Sequence, residues 1–151
     1  MLSASKVISE LEAAQSAASS HDELLRIAVE CIEAAEEHFT WVGIYLLEGD
    51  ELVLHNYIGR PTEHTRIRVG VGVCGAAVAQ NRDINVADVS EEENYLACSI
   101  ETKSELVVLI RSTDGVVRGQ IDLDSDRIAA FTSTDEEGLR EIANWLALLF
   151  D

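Results

Sequence analysis

Apolar residues near the start and the end of the chain recur at helical spacing. From Leu2 to about Ala18 the pattern predicts a first helix. A second helix is predicted after Ser20, because Ser20-His21-Asp22-Glu23 has the form of a capping box. Ser133-Thr134-Asp135-Glu136 repeats that form and predicts a C-terminal helix, whose apolar stripe comprises Leu139, Ile142, Leu146 and Leu149.

Between these helices the pattern becomes typical of strands. The runs "WVGIYLL" (41–47) and "LVLHNYI" (52–58), joined by "EGDE", predict an antiparallel hairpin. The runs "SELVVLIR" (104–111) and "VVRGQIDLDS" (116–125) predict a second hairpin. The centre is less regular: it contains a short strand in "TRIRVGVG", a short helix in "CGAAVAQN" and an extended piece in "INVADV".

This order of elements favours an α+β fold built as one domain over residues 1–151. A central antiparallel sheet is expected, with the N- and C-terminal helices packed on one face and a ligand pocket under loops on the other. That arrangement is GAF-like, and GAF folds are known mainly for holding small ligands.

Composition narrows the possible partners. The chain has 151 residues, 47% of them hydrophobic, and a net charge of −17, so we expect a globular protein that repels nucleic acid and anionic membranes. No apolar run reaches the ~18 residues of a membrane span, and the N-terminus lacks the apolar segment of a signal peptide. A cytoplasmic location is therefore expected.

The three cysteines form neither a disulfide framework nor a CxxC pair. Cys74 lies between glycines at a predicted loop-to-helix junction, where the helix N-terminus is expected to lower the pKa of the thiol. Cys98 lies in a predicted loop, where reactive groups concentrate. Plain packing remains the alternative for both thiols. Cys31 falls on an apolar helix stripe and is interpreted as structural.

Strand alternation places several carboxylates on one face of a predicted strand, and it places two aromatic residues on one face of another. In "QIDLDSD", Asp122 and Asp124 point away from the neighbouring apolar residues, and Glu105 opens the adjacent strand. Three converging acids would repel one another, so one is expected to hold a proton near neutral pH. A solvated strand face is the alternative. Trp41 and Tyr45 share a face and line either a pocket or the core.

Five segments in order resemble the free methionine-(R)-sulfoxide reductases, a family with the GAF fold: "WVGIYLL", "VGVGVCGAAVAQN", "VADVS", "YLACSIETKSELVVLI" and "GQIDLDSD". The resemblance places the nucleophile at Cys98 and the second active-site cysteine at Cys74. It also implies substrate-handling carboxylates at Glu105, Asp122 and Asp124, and an aromatic pocket wall at Trp41 and Tyr45.

The resemblance further implies a reaction without a bound cofactor. Cys98 would attack the sulfoxide sulfur of free methionine sulfoxide and become a sulfenic acid. A disulfide would follow, and a thioredoxin-like reductant would open it. A homodimer through the flanking helices is left open.

The chain departs from the family at His64, where a further cysteine is common, and at Ser99, where aspartate is usual. These departures keep two alternatives open. One is a metal-binding or redox-sensing GAF module that holds zinc, copper or iron with His64, Cys74 and Cys98. The other is a non-catalytic GAF protein that binds a small ligand.

Overall fold

The computed structural model describes residues 1–96 and 99–151, which form four α-helices, six strands and two short 3₁₀ turns. The helices are α1 (Ala4–Ser16), α2 (His21–Ala35), α3 (Gly72–Gln80) and α4 (Ser133–Ala147). The strands are β1 (Trp41–Glu48), β2 (Glu51–Ile58), β3 (Arg66–Arg68), β4 (Ile84–Val86), β5 (Ser104–Arg111) and β6 (Val117–Ser125). The 3₁₀ turns are Val89–Glu91 and Leu148–Phe150.

The strands form one antiparallel sheet in the order β3-β2-β1-β6-β5-β4. Both predicted hairpins are present, as β1–β2 and β5–β6. Pairing of β1 with β6 joins the two hairpins at the centre of the sheet. The three strands β1, β6 and β5 therefore lie side by side, and side chains at matched registers meet across them.

Alternation along the strands separates two hydrophobic cores, one on each face of the sheet. Helices α1, α2 and α4 cover one face, where they pack on residues such as Ile44, Val108 and Leu123. Helix α3 lies on the other face with Trp41, Tyr45 and Val107. The expected α+β arrangement is confirmed.

Side-chain caps begin the longer helices. Ser20 caps α2 as predicted, and its Oγ accepts from the Glu23 amide at 3.2 Å. The predicted cap of α4 at Ser133 is wrong, because Thr132 is the capping residue. The Asp135 amide donates to Thr132 Oγ1 at 3.2 Å, and the Asp135 carboxylate accepts from the Thr132 amide at 3.0 Å. The acid that completes the box is thus the buried Asp135, not Glu136.

Of the helices within residues 1–96 and 99–151, none combines the length and apolarity that spanning a bilayer requires.

The observed frame of the α4 cap makes a testable prediction. Thr132→Ala removes the capping oxygen and should lower the free energy of unfolding by about 1 kcal/mol. Ser133→Ala is the matched control, because Ser133 lies one residue later and is also exposed. Urea unfolding of both variants tests this, and a larger loss for Ser133→Ala would contradict the observed frame.

Candidate functional site

Strand register brings the predicted acids together on the sheet face that carries α3. Asp124 pairs with Glu105 on β5 and with Trp41 on β1. Asp122 lies two residues earlier and pairs with Gly43 and Val107. The three acids therefore occupy adjacent positions on the central strands, as the alternation predicted.

All three acids are buried. Glu105 is 4% exposed, Asp124 is 1% exposed and Asp122 is inaccessible to solvent. The solvated strand face that the sequence left open is therefore excluded. Burying an ionised carboxylate destabilises a protein unless the group is paired or protonated. The position of these three acids inside the fold therefore points to a function.

Helix α3 places a thiol over this cluster. Cys74 is the third residue of α3, and its thiol donates to Glu105 Oε2 at 3.8 Å. One ligand atom each from Cys74, Glu105 and Asp122 lies within 4.8 Å of the others. Gln120 fixes the helix to the sheet, because its buried Nε2 donates to the Cys74 carbonyl at 3.1 Å.

The expected low pKa of Cys74 is wrong. Burial raises the pKa of this thiol well above its usual value, and the neighbouring Asp122 and Glu105 raise it further. The helix N-terminus does not offset these effects, because desolvation and negative neighbours both disfavour a thiolate. Cys74 is therefore a protonated thiol at neutral pH.

The burial of Asp122 favours its protonated form. Burial raises the pKa of its carboxyl above the ordinary value of 3.8. Hydrogen bonds to Glu105 and Cys74 act in the opposite direction and lower the pKa of Asp122, but burial is the larger effect. A buried carboxyl whose pKa is raised is suited to donate a proton to a bound molecule.

An aromatic wall borders the acids on β1. Trp41 and Tyr45 are both buried and share the α3 face, with ring centroids 6.4 Å apart. Trp41 also stacks on Tyr57, with centroids 5.3 Å apart and planes 16° from parallel. The Trp41 ring lies over Gly43, where an added Cβ would come within 2.4 Å of it. Glycine at this position, which pairs with Asp122, thus leaves room for the indole.

A small cavity adjoins the thiol. Its volume is about 10 Å³, which is room for a single water. Its lining includes Cys74 and Glu105 from the cluster, together with Ile67, Val71, Gly72, Val73 and Leu96.

The remaining predicted residues divide into three cases. Cys98 lies outside the described residues. His64 is present near the aromatic wall, and its carbonyl accepts from Tyr45 Oη at 2.8 Å. His64 does not belong to the group of described side chains spaced for a metal, which is Cys74, Glu105 and Asp122. Cys31 packs against the core on the opposite face, as predicted.

Sequence reasoning missed three residues of the site. The alternation in the sequence places Gln120 on the same face as Asp122 and Asp124, but it gives no sign of the bond from Gln120 to the Cys74 carbonyl. Tyr57 pairs with Gly43 across the β1–β2 hairpin, so the predicted hairpin register could have found it. Asn94 contacts α3 from a distant loop, and no local pattern signals that contact.

Comparison with known proteins identifies the family of the chain. The GAF domain family matches residues 22–150. A free methionine-R-sulfoxide reductase of Escherichia coli (strain K12) is 40% identical over 102 residues, which are 68% of this chain and 61% of the relative. The aligned part therefore spans about three fifths of that reductase.

Two solved structures extend the likeness. The free methionine-R-sulfoxide reductase of Neisseria meningitidis, in complex with its substrate, has a TM-score of 0.87 at 34% identity, covering 97% of this chain and 87% of that one. A type II free methionine-R-sulfoxide reductase from Thermoplasma acidophilum has a TM-score of 0.81 at 38% identity, covering 86% and 94%. The chain thus belongs to the GAF domain family and is a relative of the free methionine-R-sulfoxide reductases.

Proposed function

We propose that this protein reduces free methionine-(R)-sulfoxide to methionine. The observation that carries the proposal is the burial of Glu105, Asp122 and Asp124 around the Cys74 thiol on one sheet face. Such a cluster suits a substrate that brings a cationic ammonium and needs a proton at its sulfoxide oxygen. The relatives named free methionine-R-sulfoxide reductase support this choice of substrate.

The proposed first step uses Cys98 as the nucleophile. Its sulfur bonds to the sulfoxide sulfur, and the protonated oxygen then moves to the Cys98 sulfur. The substrate's sulfur–oxygen bond and the transient sulfur–sulfur bond both break, so Cys98 is oxidised to a sulfenic acid and the sulfoxide is reduced to methionine. The departing oxygen needs a proton, and the raised pKa of Asp122 makes it the proposed donor. Electrons come from the thiols, so the proposed reaction has no bound cofactor.

The proposed second step uses Cys74 as the resolving thiol. Cys74 condenses with the sulfenic acid, which forms a disulfide and releases water. A thioredoxin-like dithiol then reduces the disulfide and returns both cysteines to thiols. The high pKa of Cys74 supports its assignment as the resolving thiol and not the nucleophile, because a protonated thiol attacks the sulfoxide poorly. Glu105 accepts from the Cys74 thiol and is the proposed base for its proton.

The remaining residues are assigned to substrate recognition. The ionised members of the acid cluster would pair with the substrate ammonium. Trp41 and Tyr45 offer an apolar wall for the methylthioether end of the substrate. In this proposal, the enclosed site excludes water. A lower local dielectric then strengthens the attraction between the substrate ammonium and the carboxylates.

The proposed nucleophile can be tested by substitution. Cys98→Ser should abolish turnover of free L-methionine-(R)-sulfoxide, because serine cannot accept the oxygen as a sulfenic acid. The measurement is NADPH consumption coupled through thioredoxin and its reductase, with the S epimer as a specificity control.

Cys31→Ser is the matched control, since Cys31 lies against the opposite core and should retain wild-type activity. Cys74→Ser should still produce methionine once per chain but should fail to recycle through thioredoxin. Wild-type turnover by Cys98→Ser would contradict the proposal.

The second prediction concerns the proton on Asp122. Its raised pKa means that the native state binds this proton more tightly than the unfolded state. Above pH 3.8, the free energy of unfolding therefore falls as pH rises through the native pKa, and ionised Asp122 costs stability.

Asp122→Asn should accordingly be more stable than wild type, by about 1 kcal/mol, at about pH 7.5, with a smaller difference at about pH 4.5. Its kcat should fall by about a hundredfold or more, because the amide does not supply the proton. Urea unfolding at both pH values and the coupled assay measure this. Glu141→Gln, at an exposed position of α4, should show neither effect; a less stable Asp122→Asn at the higher pH would contradict the assignment.

A metal-binding module is the second candidate function. Cys74, Glu105 and Asp122 offer one sulfur and two oxygen ligands within 4.8 Å of one another, a set that suits zinc with a fourth ligand from water or substrate. This set differs from the predicted His64, Cys74 and Cys98.

Metal content distinguishes the two sets and the two functions. If the module binds metal through Asp122, protein purified without chelator should carry about one metal ion per chain. Asp122→Asn should lose that ion, whereas His64→Ala should keep it. Mass spectrometry of the metal content gives the answer, and a metal-free wild type after incubation with zinc would rule this candidate out.

A further inference from the structure

Asn94 makes three hydrogen bonds to the backbone that precedes Cys74. Its Oδ1 accepts from the Gly72 amide at 3.0 Å. Its Nδ2 donates to the carbonyl of Gly70 at 3.0 Å and to that of Gly72 at 3.2 Å. Both donors and the acceptor of the amide are thus used by one turn of backbone, although Asn94 itself lies on an exposed loop.

The first turn of α3 explains this contact. The N-cap of α3 is Val71, which makes no side-chain cap bond. The first amides of a helix have no partner within the helix and are normally satisfied by a serine, threonine or aspartate at the N-cap. Asn94 supplies the missing oxygen to Gly72 from a segment 22 residues later in the chain.

The same segment forms a wall of the cavity beside Cys74. Gly72 has φ +67°, and an added Cβ there would lie 2.8 Å from Leu96 Cβ. Leu96 therefore packs directly on the first residue of α3. It lines the cavity of about 10 Å³ together with Cys74 and Glu105. A molecule larger than water enters this cavity only if the wall moves.

We propose that Asn94 is a positioning residue that locks the 94–96 segment onto α3 and so controls access to Cys74. The three bonds hold in place the segment whose Leu96 lines the cavity beside Cys74. They must open for a substrate to enter. The consequence for turnover rests on the proposed reductase function, whereas the control of access to Cys74 does not.

Thiol labelling tests the lock without any assay of activity. Wild type, Asn94→Ala and Asn94→Asp are pulsed with N-ethylmaleimide, and each cysteine-containing peptide is quantified by mass spectrometry. Asn94→Asp is nearly isosteric but cannot donate to the carbonyls of Gly70 and Gly72, so it separates hydrogen bonding from packing. Cys31, on the opposite face, is the internal reference.

Both Asn94 variants should label Cys74 about tenfold faster than wild type, while the Cys31 rate stays unchanged. Asn85→Ala is the matched control, because Asn85 is also exposed and donates to the Phe131 carbonyl at 3.0 Å, away from α3. It should leave both rates unchanged. The proposal is overturned if Cys74 keeps its wild-type rate in both Asn94 variants, or if Cys31 and Cys74 accelerate together.

Two further measurements complete the test. The first uses wild type, so it does not depend on the folding of a variant, and the second asks whether the lock affects turnover. In wild type, the Gly72 amide should exchange with deuterium slowly by NMR, and exchange at the rate of an unbonded helix-start amide would overturn the lock. Because the bonds must open before substrate enters, Asn94→Asp should raise kcat/KM in the coupled assay, by up to about tenfold, with an unchanged melting temperature. Faster labelling with unchanged kcat/KM would leave access control standing and remove only its role in turnover.

Discussion

The cost of burying negative charge governs this site. Glu105, Asp122 and Asp124 lie almost wholly out of solvent in a chain that already carries a net charge of −17. Desolvation favours the protonated forms, which explains why the pKa of Asp122 is raised and why the neighbouring Cys74 thiol keeps its proton. Among the ion pairs that the described residues form, none includes Asp122. Burial of Asp122 therefore favours its protonated form, and no ion pair among the described residues opposes this effect.

Apolar packing on the opposite face of the sheet offsets the free-energy cost of burying these acids. One face packs α1, α2 and α4 into a continuous apolar core that supplies burial and stability. The other face is left to α3, the aromatic wall and the acids. Close approaches hold α3 in place: a Cβ at Gly75 would lie 2.6 Å from the Arg68 carbonyl. A stable face and a functional face thus share the same three central strands.

Much of this arrangement followed from the sequence because it depends on periodicity. The alternation in "QIDLDSD" placed Asp122 and Asp124 on one face, and hairpin pairing brought Glu105 beside them. The pKa of Cys74 was predicted in the wrong direction, because a helix start is visible locally whereas its acidic neighbours come from distant strands. The predicted cap of α4 was wrong by one residue, because Thr132 and Ser133 both carry a hydroxyl group that can cap a helix. Asn94 gave no signal, since its contacts join segments that only folding brings together.

The protonation of Asp122 is the central physical claim, and it can be measured directly. Carbon-13 NMR of protein labelled at aspartate carboxyls follows each group through a pH titration, with Asp122→Asn identifying the resonance. The account predicts that the Asp122 signal titrates above the ordinary pKa of 3.8. A signal that titrates at or below 3.8 in the folded protein would contradict it.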